Sequence, residues 1–278
     1  MNTSMQLKAL IRNLAEKTKV SPQSIMANYM LERMLERIAK SKYQSNFVLK
    51  GGLLIASMVG LDSRATVDMD TTIKGYPLTE EKLREMLGEV VMIPVDDNIT
   101  FSLKNVVPIR EDAEYGGMRV GLEARFENMR VPLKIDVTTG DAITPRAIQY
   151  QYSLMFEERK LNVMAYNTET VLAEKLETIL SRSTANTRMR DFYDIYILTK
   201  LQGGQIDVAL LGEALRATSE NRASQTALES AEATLENILI SAEMKRLWEN
   251  YTENYPYAHS ISWDETCRAV CGLFESLG

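Results

Sequence analysis

The stretch KGGLLIASMVGLDSRATVDMDTTI, Lys50 to Ile73, holds the most informative residues of this chain. Ahead of it, Phe47-Val48-Leu49 is a short apolar run that reads as a strand ending at Leu49, before Lys50-Gly51-Gly52. Leu53 to Val59 then reads as an apolar helix, Asp62-Ser63-Arg64 as a charged turn, and Asp68-Met69-Asp70 as part of a second strand. Side chains at i and i+2 of a strand share a face, so Asp68 and Asp70 project together while Met69 points to the core. Two adjacent carboxylates repel each other unless something positive lies between them. Hard oxygen ligands suit Mg²⁺ held beside a substrate phosphate. Glycines at a helix N-terminus leave backbone N–H groups open to phosphate. A phosphate seat and a metal seat on one short unit point to phosphoryl or nucleotidyl transfer.

Bulk properties narrow the class. A chain of 278 residues suits one large domain or two small ones and can bury a substantial core. No apolar run approaches membrane-spanning length, and the N-terminus reads as an amphipathic helix rather than a signal peptide, so no membrane association is expected. The only cysteines, Cys267 and Cys271, stand at i and i+4 on an expected terminal helix. They read as buried or idle thiols in a reducing cytoplasm. A single histidine, His259, argues against imidazole chemistry and a zinc centre. The net charge of −6 argues against tight nonspecific DNA binding but leaves room for a local basic patch.

Along the chain, Ser21-Pro22 starts a helix that runs to about Lys40, with Ile25, Met26, Tyr29, Leu31, Met34, Leu35 and Ile38 apolar. Thr79 caps a helix to about Gly88. Alternation marks strands over 100–109, 119–128 and 129–138. On the last of these Val131, Leu133, Ile135 and Val137 share one face, and Arg130, Lys134 and Asp136 stand on the other. From about Thr168 strand patterns stop and helices follow to the end, the first capped by Thr168 or Thr170. Strands followed by helices predict an α+β chain, divided into residues 1–167 and 168–278. On the second predicted helix of the later part, Arg188, Asp191 and Asp194 lie at i, i+3 spacing among bulky aromatics. Buried charges need partners, and Lys175 and Arg188 are the obvious ones. Trp248, Tyr251, Tyr255, Tyr257 and Trp263 read as core or interface.

The order Lys50-Gly51-Gly52, then Arg64-x-Thr66-x-Asp68-x-Asp70, resembles the first motif of the AbiEii nucleotidyltransferase toxins of bacterial abortive-infection systems, a MenT-like family in the DNA polymerase β-like superfamily. Glu174-Lys175-Leu176 and the later Arg-x-x-Asp-x-x-Asp resemble the family's subsequent motifs, and the likeness spans Lys50 to Ile197. Where the superfamily usually has Gly-Ser, this chain has Gly51-Gly52, so a hydroxyl that would contact phosphate is missing. The resemblance implies a polymerase β-like domain on a mixed antiparallel sheet, with the C-terminal helical bundle closing the active-site cleft. It implies Mg²⁺ on Asp68, Asp70 and a third carboxylate, which Asp136 supplies. It places Lys50, Gly51, Gly52, Arg64, Thr66 and Lys175 against the nucleotide, and Asp191 or Asp194 beside Lys175 or the acceptor. It also implies an NTP substrate, an antitoxin encoded nearby, a role in phage defence, and transfer to the acceptor end of tRNA that blocks translation. Two alternatives share these residues: nucleotidylation of a protein hydroxyl, and an inactive module that holds GTP or a partner.

Overall fold

The computed structural model describes residues 3–109 and 116–278; Met1 and Asn2, at the start of the expected N-terminal helix, lie outside them. The chain divides into two compact units, Met1–Gly140 with Ile148–Ala165, and Asp141–Ala147 with Tyr166–Gly278. Among the described residues, no helix is long and apolar enough to cross a membrane.

The first unit is built on a seven-stranded mixed sheet. Its strands are β1 (Phe47–Lys50), β2 (Asp68–Ile73), β3 (Ile99–Ile109), β4 (Gly117–Phe126), β5 (Met129–Thr139), β6 (Ile148–Ser153) and β7 (Lys160–Ala165), in the order β3-β4-β5-β2-β1-β7-β6. β2 runs parallel to β5 and β1 parallel to β7; the remaining neighbours are antiparallel. Met69, Val120, Ile135 and Val137 are fully buried on one face, as the alternation of each strand requires. Helices α1 (Ser4–Thr18), α2 (Pro22–Lys40), α3 (Gly51–Val59) and α4 (Glu80–Val91) complete the unit. α2 is started by Ser21, whose hydroxyl accepts the Ser24 N–H, and by Pro22 in its first turn.

β6 and β7 are not among the strands expected from the sequence. β6, IQYQYS, is a polar edge strand with little buried surface, so its alternation is weak. It changes the reading of α2. That helix has the expected apolar residues, yet Asn28, Glu32, Arg33, Glu36 and Arg37 are buried as well. Each charge has a partner. Arg37 makes a two-pronged pair with Asp97 at 2.7 and 2.9 Å, and Arg33 meets Glu157 at 2.8 Å. Glu36 is held by Arg159 at 2.9 Å, and Glu32 accepts the Met155 N–H and the Tyr152 hydroxyl. The partners Tyr152, Met155, Glu157 and Arg159 come from β6 and the turn after it, which cover what the sequence alone presents as a polar face.

Burial pushes the Glu32 carboxyl up to about 7, against the pull of the Met155 N–H and Arg33. A carboxyl whose folded value lies above its ordinary 4.5 binds a proton more readily in the folded state, so its contribution is complete below 4.5 and lost as pH rises through 7. The loss is about 3 kcal/mol for a shift of this size. Wild type is therefore expected to lose stability relative to Glu32→Gln between pH 5 and 7.5. Parallel urea melts of the two proteins at both pH values would show the gap, and a gap that does not change with pH would refute it.

The second unit is helical: α5 (Thr168–Arg182), α6 (Met189–Gln202), α7 (Val208–Asn221), α8 (Gln225–Glu229), α9 (Ala231–Ile240), α10 (Ala242–Asn254) and α11 (Trp263–Glu275). Asn167, not Thr168 or Thr170, caps α5 by accepting the Thr170 N–H; its amide also donates to the Thr144 carbonyl, tying the 141–147 segment to the helix start. α5 packs on α6 and α7, and α6 on α11. Phe192, Trp248 and Trp263 interlock in the core, with ring centres 5.2 and 6.1 Å apart. Cys267 is buried, and burial pushes its thiol up to about 12, which makes it a packing residue.

Candidate active site

α3 starts directly at the end of β1, with Lys50 as its cap residue and no side-chain cap. Gly51 has φ of 64°, and a Cβ there would stand 2.1 Å from the Asp70 Oδ2. A Cβ on Gly52 would stand 2.8 Å from Thr66 Oγ1 and 3.1 Å from Arg64 Nη2. Both glycines are therefore required by close packing, and a serine at 52 would collide with Thr66. That accounts for the departure from Gly-Ser. Gly52 donates its N–H to the Asp70 carboxylate at 3.2 Å, so a strand carboxylate already faces the start of α3.

The Asp62-Ser63-Arg64 turn differs from its expected form, because Arg64 is 1 % exposed. Its guanidinium and Thr66 pack against Gly52. The Thr66 hydroxyl donates to the Asp68 carbonyl at 3.3 Å, and its own carbonyl accepts from the Asn28 amide of α2. Nothing in the local sequence signals Asn28, which lies 38 residues earlier on another element.

Strand register brings the carboxylates together. Asp70 pairs across the sheet with Lys50 on one side and with Asp136 on the other, and Asp136 pairs with Arg119 of β4. Register partners share a face, so β1, β2, β5 and β4 carry the row Lys50, Asp70, Asp136, Arg119. Asp68 lies on the same face, beside Lys134. Asp68, Asp70 and Asp136 are all half-buried. Arg119 grips Asp136 with both prongs of its guanidinium, Nε at 2.8 Å and Nη2 at 2.7 Å.

The donor chemistry fits a hard divalent cation. Asp68 and Asp70 offer carboxylate oxygens from one strand face, and Asp136 is the next carboxylate across the sheet. Asp136 has both oxygens on Arg119, and among the described residues no three His, Cys, Asp or Glu side chains stand close enough to share an ion. Asp68 and Asp70 would hold the ion, and Asp136 could join them only by exchanging Arg119.

In the second unit Lys175 of α5 places its ammonium 2.5 Å from Asp191 and 2.9 Å from Asp194, both nearly inaccessible and one turn apart on α6. Arg188 reaches Asp191 at 3.1 Å. These are the partners expected from the spacing. Burial pulls the Lys175 ammonium down, but the two carboxylates together outweigh it and hold it above the ordinary lysine range. A neighbouring cluster was not expected: Arg222 meets Glu177 at 2.6 Å and Glu174 at 3.0 Å. Its signal is faint, because Arg222 lies 45 residues after Glu177, in the turn following α7.

Several cations of the two units are engaged in pairs of their own. Arg125 pairs with Glu123 at 2.7 Å, and Arg190 stacks over Tyr255. Arg130, Lys134 and Arg182 are exposed.

The architecture matches solved nucleotidyltransferase structures. MenT4, a nucleotidyltransferase toxin from Mycobacterium tuberculosis, superposes with a TM-score of 0.56 at 14% identity, over 97% of this chain and 98% of its own. Two crystal structures of Helicobacter pylori proteins, one described as a candidate nucleotidyltransferase, superpose with TM-scores of 0.51 and 0.50 at 16% identity. Each covers 93% of this chain, and 97% and 94% of the other. At such identity the likeness establishes the fold: an α+β nucleotidyltransferase fold. The family follows from sequence, since residues 33–269 match the model of the nucleotidyl transferase AbiEii toxin of type IV toxin–antitoxin systems, and the chain belongs to that family. No curated protein matches it.

Proposed function

We propose that the protein transfers a nucleotide from an NTP to a hydroxyl at the acceptor end of tRNA, in a Mg²⁺-dependent reaction that blocks translation. The observation that carries this reading is the row of Asp70 and Asp136 beside Asp68 on one sheet face. Bound Mg²⁺ would neutralise the leaving phosphates and favour ionisation of the attacking hydroxyl. Asp68 and Asp70 would hold it, with Asp136 completing the set. The acceptor oxygen forms a bond to the α-phosphorus, the bond to pyrophosphate breaks, and Asp136 takes the hydroxyl proton. Lys50 and the glycine start of α3 orient the triphosphate. In the second unit, Lys175 answers phosphate charge, with Asp191 and Asp194 as its positioning residues. Membership of a type IV toxin family supports restraint in the bacterial cytoplasm by a cognate antitoxin encoded nearby.

The test is incubation with each labelled NTP, Mg²⁺ and total tRNA. Label in tRNA supports the reading. Label in protein moves the acceptor to a protein hydroxyl, and label in neither, with NTP bound, identifies an inactive binding module. If tRNA is the acceptor, lysine and arginine contacts to its phosphates release counterions, so binding weakens steeply with salt. Arg182 is exposed at the end of α5 and suits a charge reversal. Arg182→Glu is expected to lower the slope of log affinity against log salt by about 0.7 to 0.9, one phosphate contact, with NTP affinity unchanged. A flat salt series, unaltered by the reversal, would count against tRNA.

A further inference from the structure

We propose that Arg119 is a positioning residue that exchanges partners, holding Asp136 until substrate arrives and then turning to the nucleotide's phosphates. The inference rests on the reading of Asp68, Asp70 and Asp136 as the metal-binding carboxylates. It starts from the cross-strand row Lys50, Asp70, Asp136, Arg119. Like charges directly opposite one another destabilise a sheet, and here two carboxylates are register partners at the centre of the row. A cation at each end offsets this. Arg119 does so with a two-pronged grip on both Asp136 oxygens, at 2.8 and 2.7 Å.

That grip has a chemical consequence. A carboxylate with both oxygens on a guanidinium offers a poorer lone pair to a divalent cation, so Arg119 and the cation compete for Asp136. The two sides of the pair differ in freedom. Asp136 stands on an inner strand of the row with its side chain 19 % exposed, whereas the Arg119 side chain is 47 % exposed on a long stem. Arg119 is the partner able to move. A planar guanidinium released beside a metal-bound triphosphate matches phosphate oxygens as well as it matched the carboxylate. Arg119 therefore lowers the affinity of the empty protein for divalent cation and raises its affinity for nucleotide. A residue that merely supports the fold would not move these two quantities in opposite directions.

The experiment measures Mn²⁺ binding to the full chain by electron paramagnetic resonance, without nucleotide, for wild type, Asp70→Asn, Arg119→Ala, Arg119→Lys, Asp136→Asn and the double variant Arg119→Ala/Asp136→Asn. Arg119→Ala is expected to bind Mn²⁺ about tenfold more tightly, because Asp136 is released to the ion. Arg119→Lys, with one prong instead of a fork, falls between. In the Asp136→Asn background Arg119→Ala changes nothing, as a cycle through one shared contact requires. With NTP and Mn²⁺ present, Arg119→Ala raises the KM for NTP severalfold. Unchanged or weaker Mn²⁺ binding in Arg119→Ala, with wild-type binding intact and lost in Asp70→Asn, overturns the exchange and leaves the carboxylate site standing. Failure of both the wild type and Arg119→Ala to bind Mn²⁺ overturns both.

Discussion

Asp70→Asn is expected to abolish nucleotide transfer, by about a thousandfold or more, a loss typical of removing a group that organises charge at a reacting phosphate. The fold is expected to survive. Asp70 faces Asp136 directly across β2 and β5, so neutralising it relieves repulsion between them. The amide oxygen of asparagine can still accept the Gly52 N–H that the carboxylate accepts at 3.2 Å. Asp68→Asn behaves alike, since Asp68 shares the face but has no role in the core. The check is single-turnover transfer measured beside thermal unfolding on the same samples. Transfer near the wild-type rate in either variant would remove these carboxylates from the chemistry. A collapse of melting temperature would assign them to the fold instead.

Lys175→Ala is expected to lose both activity and about 3 to 5 kcal/mol of stability, because it leaves buried carboxylates without their cation. Asp191 and Asp194 are 2 % and 0 % exposed at the side chain, and Arg188 reaches only the first of them. Lys175→Arg keeps the charge but not the compact ammonium that fits between two aspartates, and it too should lose most activity. The two losses can be separated. A triple variant, Lys175→Met with Asp191→Asn and Asp194→Asn, removes the charges together and should recover most of the stability while staying inactive. The pH dependence gives a second check. The lysine is held above its ordinary range, so its contribution is complete at neutral pH and lost only as pH rises through the raised value. Urea unfolding of wild type and triple variant at pH 7 and at pH 11 reads this directly. An active triple variant would return Lys175 to a purely structural role.

The sequence by itself determined the local and periodic features. Alternation placed Met69 in the core and Asp68 and Asp70 on the other face, because a strand has a period of two whatever it pairs with. The Ser21-Pro22 start, the Gly51-Gly52 helix entry and the i, i+3 spacing of Asp191 and Asp194 were legible for the same reason: each is set by neighbours in the chain. Even Lys175 could be matched to its aspartates, since burial of charge on an apolar helix demands a counterion. What only the tertiary structure decided is pairing between distant segments. The β6 edge strand carries too little apolar alternation to announce itself, yet it and the following turn bury the charged side of α2. The register that sets Asp136 opposite Asp70 and beneath Arg119 depends on how β5 slides against β2 and β4. A shift of one residue would turn Asp136 to the opposite face. That register is chosen by the summed packing of Met69, Ile135, Val120 and their neighbours across the sheet, a cooperative property that no window of sequence contains.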